Sequence, residues 1–291
     1  MRSPRTSLAG EFPQADPSRR NRRTQGSAAP ALLLAFLLVL LVAATAYVFL
    51  ARRYTAPPPI TSTAELVDRQ YALTLYVAGT VFVLAQLGLG LAIVCFRDRG
   101  QRVRFSRGNS ALEIAWISAT LLVFLGLGIA GRKAWADVRF RAPAPSAIQI
   151  EATTSQFVYT FRYPGPDGKF GMLDPHLVNA PAGNPLGLDP NDPAGKDDIV
   201  VPTLTVPVDR EIELLLRSQD VVHNFFVREL RLQQDAVPGM VIPIHFTPVR
   251  IGRYDIVCTQ LCGLGHNTMH SFLNVVSESD YESFLRRRTA P

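Results

Sequence analysis

Charged residues and cysteines are both scarce in this chain of 291 residues. Asp, Glu, Lys and Arg make up only 19% of the sequence, against 47% for hydrophobic residues. The three cysteines leave room for one disulfide at most, and the sequence has no Cys-x-x-Cys-His motif, so we expect no c-type haem attached to this chain. The formal net charge is +6, but the basic residues cluster beside apolar runs, where membrane topology explains them better than nucleic-acid binding does.

Three apolar runs occupy the first half of the chain, at residues 28–50, 71–96 and 111–130. Each approaches the ~20 apolar residues that a helix needs to cross a bilayer. We therefore predict a transmembrane hairpin within residues 65–135, preceded by a further membrane segment at 28–50. The first 27 residues, rich in Arg, Ser and Pro, are predicted to be disordered.

The arginines predict the orientation of these segments. Six precede residue 28, and five lie between residues 97 and 107. Both groups are expected in the cytoplasm, so three crossings place the rest of the chain on the periplasmic side of a bacterial inner membrane. The first run has a second interpretation, because Ala44-Thr45-Ala46 after a basic start also fits a secretory signal peptide that is cleaved. Either interpretation leaves the C-terminal part outside the cytoplasm.

Residues 140–291 are predicted to form a separate all-β domain. Short runs with a period of two, separated by Pro and Gly, are typical of a β-sandwich or barrel. Residues 165–196 interrupt this pattern as a loop or insertion. The predicted strands lie at 148–151, 156–163, 199–206, 211–216, 223–227, 241–246, 254–258 and 272–276.

The chain is predicted to end in a short helix. Ser279 and Glu282 have the spacing of a capping box. Tyr281, Phe284 and Leu285 would give this helix one apolar face.

The segment from Cys258 to Met269 brings two thiols, one imidazole and one thioether within twelve residues. Soft sulfur ligands with imidazole suit copper or zinc, and the methionine with the close cysteine spacing favours copper. A mononuclear blue-copper site needs only one cysteine, so the second thiol is explained if two thiolates bridge two copper ions. A disulfide between Cys258 and Cys262 is the alternative.

This site needs a second imidazole, and His223 is the best candidate. It lies 35 residues before Cys258 in the phrase Ser-Gln-Asp-Val-Val-His, a normal distance for two loops at one end of a sandwich. The alternative is a core histidine packed beside Phe225 and Phe226. The remaining histidines and the remaining cysteine are predicted to be structural, with the cysteine buried as an inert thiol: His176, His245, His270 and Cys95.

The chain resembles the family of cytochrome c oxidase subunit II from about residue 65 to its end. Four motifs carry the resemblance, and they occur in the family's order. They are Leu112-Glu113-Ile-Ala-Trp116 at the start of a membrane helix, Asp220-Val-Val-His223, Asp235-Ala-Val-Pro-Gly239, and the segment from Cys258 to Met269, which is similar to the binding loop of a dinuclear CuA centre.

The resemblance implies a cupredoxin-like Greek-key β-barrel on a transmembrane hairpin. It implies electron transfer from cytochrome c or another c-type donor, through the copper centre, to the haem of oxidase subunit I, with subunit III as a further partner. Oxygen reduction, coupled to proton pumping, would take place in subunit I. The implied ligands are the bridging thiolates of Cys258 and Cys262, the imidazoles of His223 and His266, the thioether of Met269 and the backbone carbonyl of Gln260.

Three positions qualify the resemblance. It places Glu113 at the cytoplasmic mouth of a proton path, although a charge at a helix end can also simply reach the membrane surface. The family usually has Glu where Gln260 stands, and that Glu helps to bind magnesium beside subunit I, so the magnesium site is in doubt. Phe157 stands where the family has a tryptophan that receives donor electrons, so the docking surface or the donor can differ.

Three other functions are compatible with parts of the pattern. A quinol oxidase subunit II shares the fold but lacks the copper ligands that are present here. A nitrous oxide or nitric oxide reductase can carry a CuA domain, but the first of these has its catalytic domain on the same chain and none is visible. A copper-delivery protein would not need Glu113 beside Trp116 on a membrane helix.

Overall fold

The computed structural model describes residues 28–51, 56–97 and 108–289. The predicted disordered region, residues 1–27, and the arginines from 99 to 107 lie outside the described residues. Three helices come first, and each is long and apolar enough to cross a membrane: α1 (Ala28–Leu50), α2 (Ser62–Cys95) and α3 (Ser110–Arg139). Most of their large apolar side chains are exposed in the isolated chain, as expected for surfaces that face lipid or partner helices.

Side-chain caps fix where α2 and α3 begin. Thr61 Oγ1 accepts a hydrogen bond from the amide of Ala64 at 3.0 Å, and Asn109 Oδ1 accepts from two backbone amides at 3.1 and 3.3 Å. Such oxygens satisfy amides that have no partner within the first helical turn. Both helices are longer than the apolar runs at 71–96 and 111–130, because their polar end turns continue the helix.

In the described residues that follow these helices, ten strands form two five-stranded sheets. They are β1 (Ile148–Ser155), β2 (Val158–Tyr163), β3 (Ile199–Val201), β4 (Leu204–Pro207), β5 (Ile212–Ser218), β6 (His223–Val227), β7 (Leu232–Ala236), β8 (Ile242–Phe246), β9 (Gly252–Val257) and β10 (His270–Val276). The strand order is β3-β2-β1-β5-β8 in the first sheet and β4-β10-β9-β6-β7 in the second. The β1–β5 and β4–β10 pairs are parallel, and the other pairs are antiparallel.

Alternating side chains from both sheets build one core. On β5, Ile212, Leu214 and Leu216 are fully buried, and the residues between them are half-buried, which is the period of two that a one-sided strand requires. Tyr163 joins the two sheets, since its hydroxyl donates to Thr205 O at 2.9 Å and accepts from Thr205 N at 2.6 Å. Burial raises the pKa of this phenol, so the hydroxyl stays neutral and keeps both hydrogen bonds.

The outer face of β1 carries charged side chains, and it is also buried. Residues 165–198 cover this face. Glu151 Oε2 accepts from Arg162 Nε at 2.7 Å, and Glu151 Oε1 accepts from Arg217 Nη2 at 3.0 Å. Arg162 Nη1 also reaches Gly171 O at 2.7 Å and Asp198 Oδ2 at 3.1 Å. This buried ion cluster anchors the covering segment to the sheet.

The covering segment is an ordered insertion without long helices or strands. It contains three short 3-10 helices, each with proline in its first turn: Pro175–Leu177, Ala180–Ala182 and Pro193–Gly195. Asp174, Asn179 and Asp192 cap them by accepting backbone amides. The insertion thus folds by local Asx capping, which suits a stretch with few apolar residues.

Four details of the sequence prediction differ from the structure: the capping residue of the last helix, the burial of Cys95, the strand at 199–206 and a strand at 232–236 that was not predicted. The C-terminal helix α4 (Glu278–Thr289) is capped by Ser277, whose Oγ accepts from Asp280 N at 3.2 Å, and not by the predicted Ser279–Glu282 box. Cys95 is exposed, since it ends a membrane-type helix. The predicted strand at 199–206 is divided at Pro202, which cannot donate to a ladder, and β7 was missed.

The β domain shares a compact unit with parts of α2 and α3, since that unit consists of Tyr54–Val77 and Ile117–Pro291. Arg231 Nε donates to Asp68 Oδ1 of α2 at 2.8 Å. Arg139 at the end of α3 donates to Gln233 O at 2.7 Å and to Gln234 Oε1 at 2.5 Å. Strand β7 therefore begins where both membrane helices are attached to the domain.

Candidate metal centre

Two segments from different parts of the sequence meet at one end of the β domain. His223 is the first residue of β6, and the second segment connects β9 to β10 and runs from Cys258 to Met269. Phe226 of β6 pairs with Val257, the residue before Cys258. The backbone amide of Cys258 donates to Met269 O at 3.3 Å, so both ends of the second segment are held together at the rim of the sheet.

The side chains of this region converge. Ligand atoms of His223, Cys258 and Cys262 all lie within 4.8 Å of one another, and all three residues are buried. The two sulfur atoms are 3.9 Å apart, and both thiols are free in the described chain. Cys262 Sγ lies 3.5 Å from His266 Nδ1 and 3.9 Å from Met269 Sδ. Cys258 Sγ lies 3.2 Å from the carbonyl oxygen of Gln260.

A carboxylate fixes the orientation of His223. Its Nε2 is 2.8 Å from Asp220 Oδ1, whereas its buried Nδ1 has no hydrogen-bond partner among the residues that the structure describes. Partial burial raises the pKa of Asp220. Hydrogen bonds with His223 and with the amides of Gln156 and Val221 lower this pKa by a larger amount, so it lies below its usual range. An ionised Asp220 holds the proton on Nε2 and leaves Nδ1 free to act as a ligand.

Burial disfavours the thiolate form of Cys262 while no ion is bound. Burial, and next the neighbouring thiol of Cys258, raise the pKa of Cys262 to about 11. Burial also raises the pKa of Tyr159, with the two thiols adding to the effect. Two adjacent thiolates in this environment need a compensating positive charge, which a bound metal ion supplies.

The turn between β1 and β2 supports the cysteine loop from the side. Gln156 Nε2 donates to Cys262 O at 2.6 Å, and Gln156 N donates to Asp220 Oδ2 at 2.7 Å. A Cβ atom placed on Gly265 would meet the ring of Phe157 at 2.3 Å. Phe157 therefore lies directly on the backbone of this loop, and glycine is required for that approach.

The residues fit copper. Two thiols, two imidazoles and a thioether form a soft donor set, and an unpartnered nitrogen of a fully buried imidazole is costly unless a ligand occupies it. Zinc would prefer four Cys or His ligands without a methionine. The donor set thus agrees with the metal that the sequence pattern favours.

Comparison with known proteins gives the family. The sequence profile of the family described as cytochrome c oxidase subunit II, periplasmic domain, matches residues 189–279. The "Alternative cytochrome c oxidase subunit 2" of Bradyrhizobium diazoefficiens is 34% identical over 236 residues, which cover 79% of this chain and 83% of that relative. The chain belongs to the cytochrome c oxidase subunit II family. The "Cytochrome c oxidase subunit 2" of Cereibacter sphaeroides is 27% identical over 231 residues, 75% of this chain and 73% of that protein.

One solved structure is also similar to part of this chain. It is the periplasmic domain of subunit II of cytochrome oxidase from Bradyrhizobium japonicum, with 23% identity and a TM-score of 0.38 over 50% of this chain and 96% of that chain. Membership in the subunit II family confirms the resemblance and the predicted fold class, apolar helices followed by an all-β cupredoxin-like domain. The family consists of subunits of an oxidoreductase, and it implies copper.

Glu113, the remaining predicted site residue, and the histidines predicted to be structural are not members of this cluster. Glu113 is exposed in the first turn of α3, where a carboxylate also interacts favourably with the helix dipole. His176 is exposed in the insertion, and His270 is exposed with its ring against Phe272. His245 is buried on β8, and burial, together with the nearby charge of Arg141, lowers its pKa.

The sequence pattern did not assign roles to the residues that hold the ligands. Asp220 was noted only as part of a motif, although its position three residues before His223 is a usable signal. Gln156, Asn224 and Thr259 were missed. Their hydrogen-bond partners lie far away in the sequence, and the spacing of residues along the chain does not indicate such contacts.

Proposed function

We propose that this subunit accepts electrons from cytochrome c at a dinuclear CuA centre and passes them to the haem of subunit I, where oxygen is reduced with proton pumping. The observation that carries the proposal is that a ring nitrogen of His223 and the thiols of Cys258 and Cys262 all lie within 4.8 Å of one another. The proposed ligands are the side chains of His223, Cys258, Cys262, His266 and Met269, with the carbonyl oxygen of Gln260.

In this function the protein keeps the ligands in fixed positions and shields them from water. A bound pair of copper ions would supply one-electron transfer with the charge shared over two thiolates. His223 is fixed by Asp220, and the loop is fixed by Gln156 and Phe157. Fast electron transfer needs a site that changes little between oxidation states, and ligands mounted on a rigid barrel meet that need.

The surface beside the centre suits a transient donor. Leu261 and Leu264 are 80% and 105% exposed, which leaves apolar side chains in water next to the cysteine loop. Phe157 lies behind this loop against Gly263 and Gly265. We propose that a c-type cytochrome contacts this apolar surface, since small electron-transfer interfaces need little area.

The membrane part of the proposal follows from the helices and the arginines. We propose three crossings of a bacterial inner membrane, with the β domain in the periplasm and subunits I and III as neighbours. Cleavage after residues 44–46 would remove the first crossing and keep the same orientation. Glu113 would then lie at the cytoplasmic side. Gln260 has no carboxylate, so we propose that it gives no charged ligand to a magnesium ion.

The test counts copper in the purified oxidase complex. Wild-type complex should contain a mixed-valence two-copper signal in electron paramagnetic resonance, together with haem bands. Cys258→Ser and Cys262→Ser should each abolish that signal and lower the copper count, because each thiolate is proposed to bridge both ions. Cys95→Ser is the matched control and should change neither, since Cys95 lies at the end of α2.

Two outcomes would contradict the proposal. Full copper content with an unchanged spectrum in either loop mutant would show that the substituted thiol is not a copper ligand. A wild-type complex with haem but without the two-copper signal would instead favour a quinol-type subunit that uses the fold only for docking.

A further inference from the structure

Asn224 lies next to the proposed ligand His223 but faces the other side of β6. Successive side chains on a strand point to opposite faces, so the amide of Asn224 is directed away from the core that receives His223. It is nevertheless only 1% exposed. A buried amide must find hydrogen-bond partners, and the partners that it finds indicate what it holds.

Asn224 makes three short contacts with three different segments. Its Nδ2 donates to Asp235 Oδ1 of β7 at 2.6 Å. Its Oδ1 accepts from Thr259 Oγ1 at 2.7 Å. Its backbone carbonyl accepts from Tyr159 Oη of β2 at 2.5 Å. One residue thus connects β6 to β7, to β2 and to the cysteine loop.

Thr259 is the important partner, because it lies between Cys258 and Gln260, which supply a thiolate and a carbonyl oxygen in the proposed centre. A hydrogen bond to its side chain restrains the backbone that presents both groups. Gln233 Nε2 also donates to Thr259 Oγ1 at 3.0 Å. The loop is therefore held by side chains from β6 and β7 together.

Backbone pairing alone connects the two ligand segments weakly. The register between β6 and β9 contains the single pair Phe226↔Val257 in the described strands, whereas β6 and β7 share five pairs from His223↔Ala236 to Val227↔Leu232. Beyond that pair, side-chain hydrogen bonds add to core packing in fixing the position of the strand that carries His223 relative to the strand that leads into Cys258.

We propose that Asn224 is a positioning residue of the copper centre, which holds segment 258–260 against the strand that carries His223. This inference rests on the proposed copper function. Asn224 acts through Thr259 and touches no ligand atom with its amide. Loss of the amide frees the loop and leaves the Asp235 carboxylate without its buried donor.

The experiment compares Asn224→Ala with Tyr163→Phe in the full chain. Tyr163→Phe removes a buried group that also makes two hydrogen bonds, both to Thr205, in the same domain. In metal-depleted chain in detergent, Asn224→Ala should speed amide hydrogen exchange of residues 258–261 by about tenfold, the effect of losing one net hydrogen bond of typical strength. Tyr163→Phe should leave exchange in that segment unchanged.

The assembled oxidase gives the second readout. Copper content should stay near that of the wild type in Asn224→Ala, while the hyperfine pattern of the two-copper resonance and the reduction potential of the centre shift. Thr259→Val should reproduce the shift and should not add to it in the double mutant, because both changes break one contact. Thr259→Ser keeps the hydroxyl and should restore the wild-type spectrum.

The outcomes separate this inference from the function on which it rests. An unchanged spectrum and unchanged exchange in both Asn224→Ala and Thr259→Val would overturn the positioning role. If Tyr163→Phe produced equal shifts, the effect of Asn224→Ala would reflect a general loss of stability and not a positioning role. Absence of copper from the wild type would refute the proposed function, and the exchange comparison would still decide whether Asn224 holds the loop. Thr259→Val changes an exposed residue, so the test survives if Asn224→Ala fails to fold.

Discussion

The buried ion cluster on β1 offers a sharp test of how the insertion is attached. Glu151 accepts from Arg162 through Nε at 2.7 Å and also through Nη2, and from Arg217 through Nε at 3.2 Å and Nη2 at 3.0 Å. The side chains of Glu151 and Arg162 are only 3% and 2% exposed. Glu151→Gln keeps the size of the side chain and removes its charge.

The magnitude follows from what remains after the change. Arg162 keeps Asp198 as a partner at 3.1 Å, but the new amide presents either a weaker acceptor or an N–H group to two guanidinium groups. Breaking one side of a buried ion pair costs about 3–5 kcal/mol. For a domain of this size, each kcal/mol lowers the melting temperature by about 2–4 °C. We therefore expect a decrease of roughly 6–20 °C.

Scanning calorimetry of the full chain in detergent would measure this decrease in the transition of the β domain. Glu278→Gln is the matched control, because its partner Arg210 is 2.9 Å away but the two side chains are 48% and 45% exposed. An exposed pair contributes about 0–1 kcal/mol. Equal melting temperatures for the two variants would refute the view that the cluster is a desolvated anchor.

Residues 140–291, expressed alone, should fold and bind copper, because the proposed ligands and nearly all of the core lie there; a folded fragment that lacks the two-copper absorption after copper addition would contradict this. Glu113→Gln should preserve assembly and copper but slow turnover if the carboxylate collects protons; wild-type oxygen consumption from pH 6 to 9 would leave it as a helix-end residue. Gly265→Ala should impair copper binding, because its Cβ would lie 2.3 Å from the ring of Phe157. Phe157→Leu in the same chain should restore part of the loss, and a failure to restore any would place the clash elsewhere.

Much of the fold could be predicted from the sequence because it depends on local periodicity. The apolar runs predicted the membrane helices. Alternating apolar residues predicted strands such as β5, in which Ile212, Leu214 and Leu216 point inward. β7 was missed because Leu-Gln-Gln-Asp-Ala has no apolar alternation, and it forms only by pairing with β6. The capping residue of α4 was misplaced by two positions, since Ser277 and Ser279 are both plausible caps in sequence.

The insertion and the ligand supports could not be predicted for a different reason. Arg162 and Glu151 would be read as solvent-exposed residues on a one-sided strand, and they are buried only because residues 165–198 return over them. Asn224 looks like an ordinary polar neighbour of a histidine. Its partners Asp235 and Thr259 come from two other segments, and contacts of that kind follow from tertiary packing and not from sequence spacing.

The burial of the thiols has a consequence for how the subunit acquires its metal. A pKa of about 11 for Cys262 means that this sulfur still carries its proton near neutral pH in the folded chain without an ion. Copper can bind there only as that proton leaves. Loading is therefore an exchange of hydrogen ions for copper ions, and the pH of the compartment enters the apparent affinity directly. We therefore expect the domain to capture copper more strongly at slightly alkaline pH than at acidic pH.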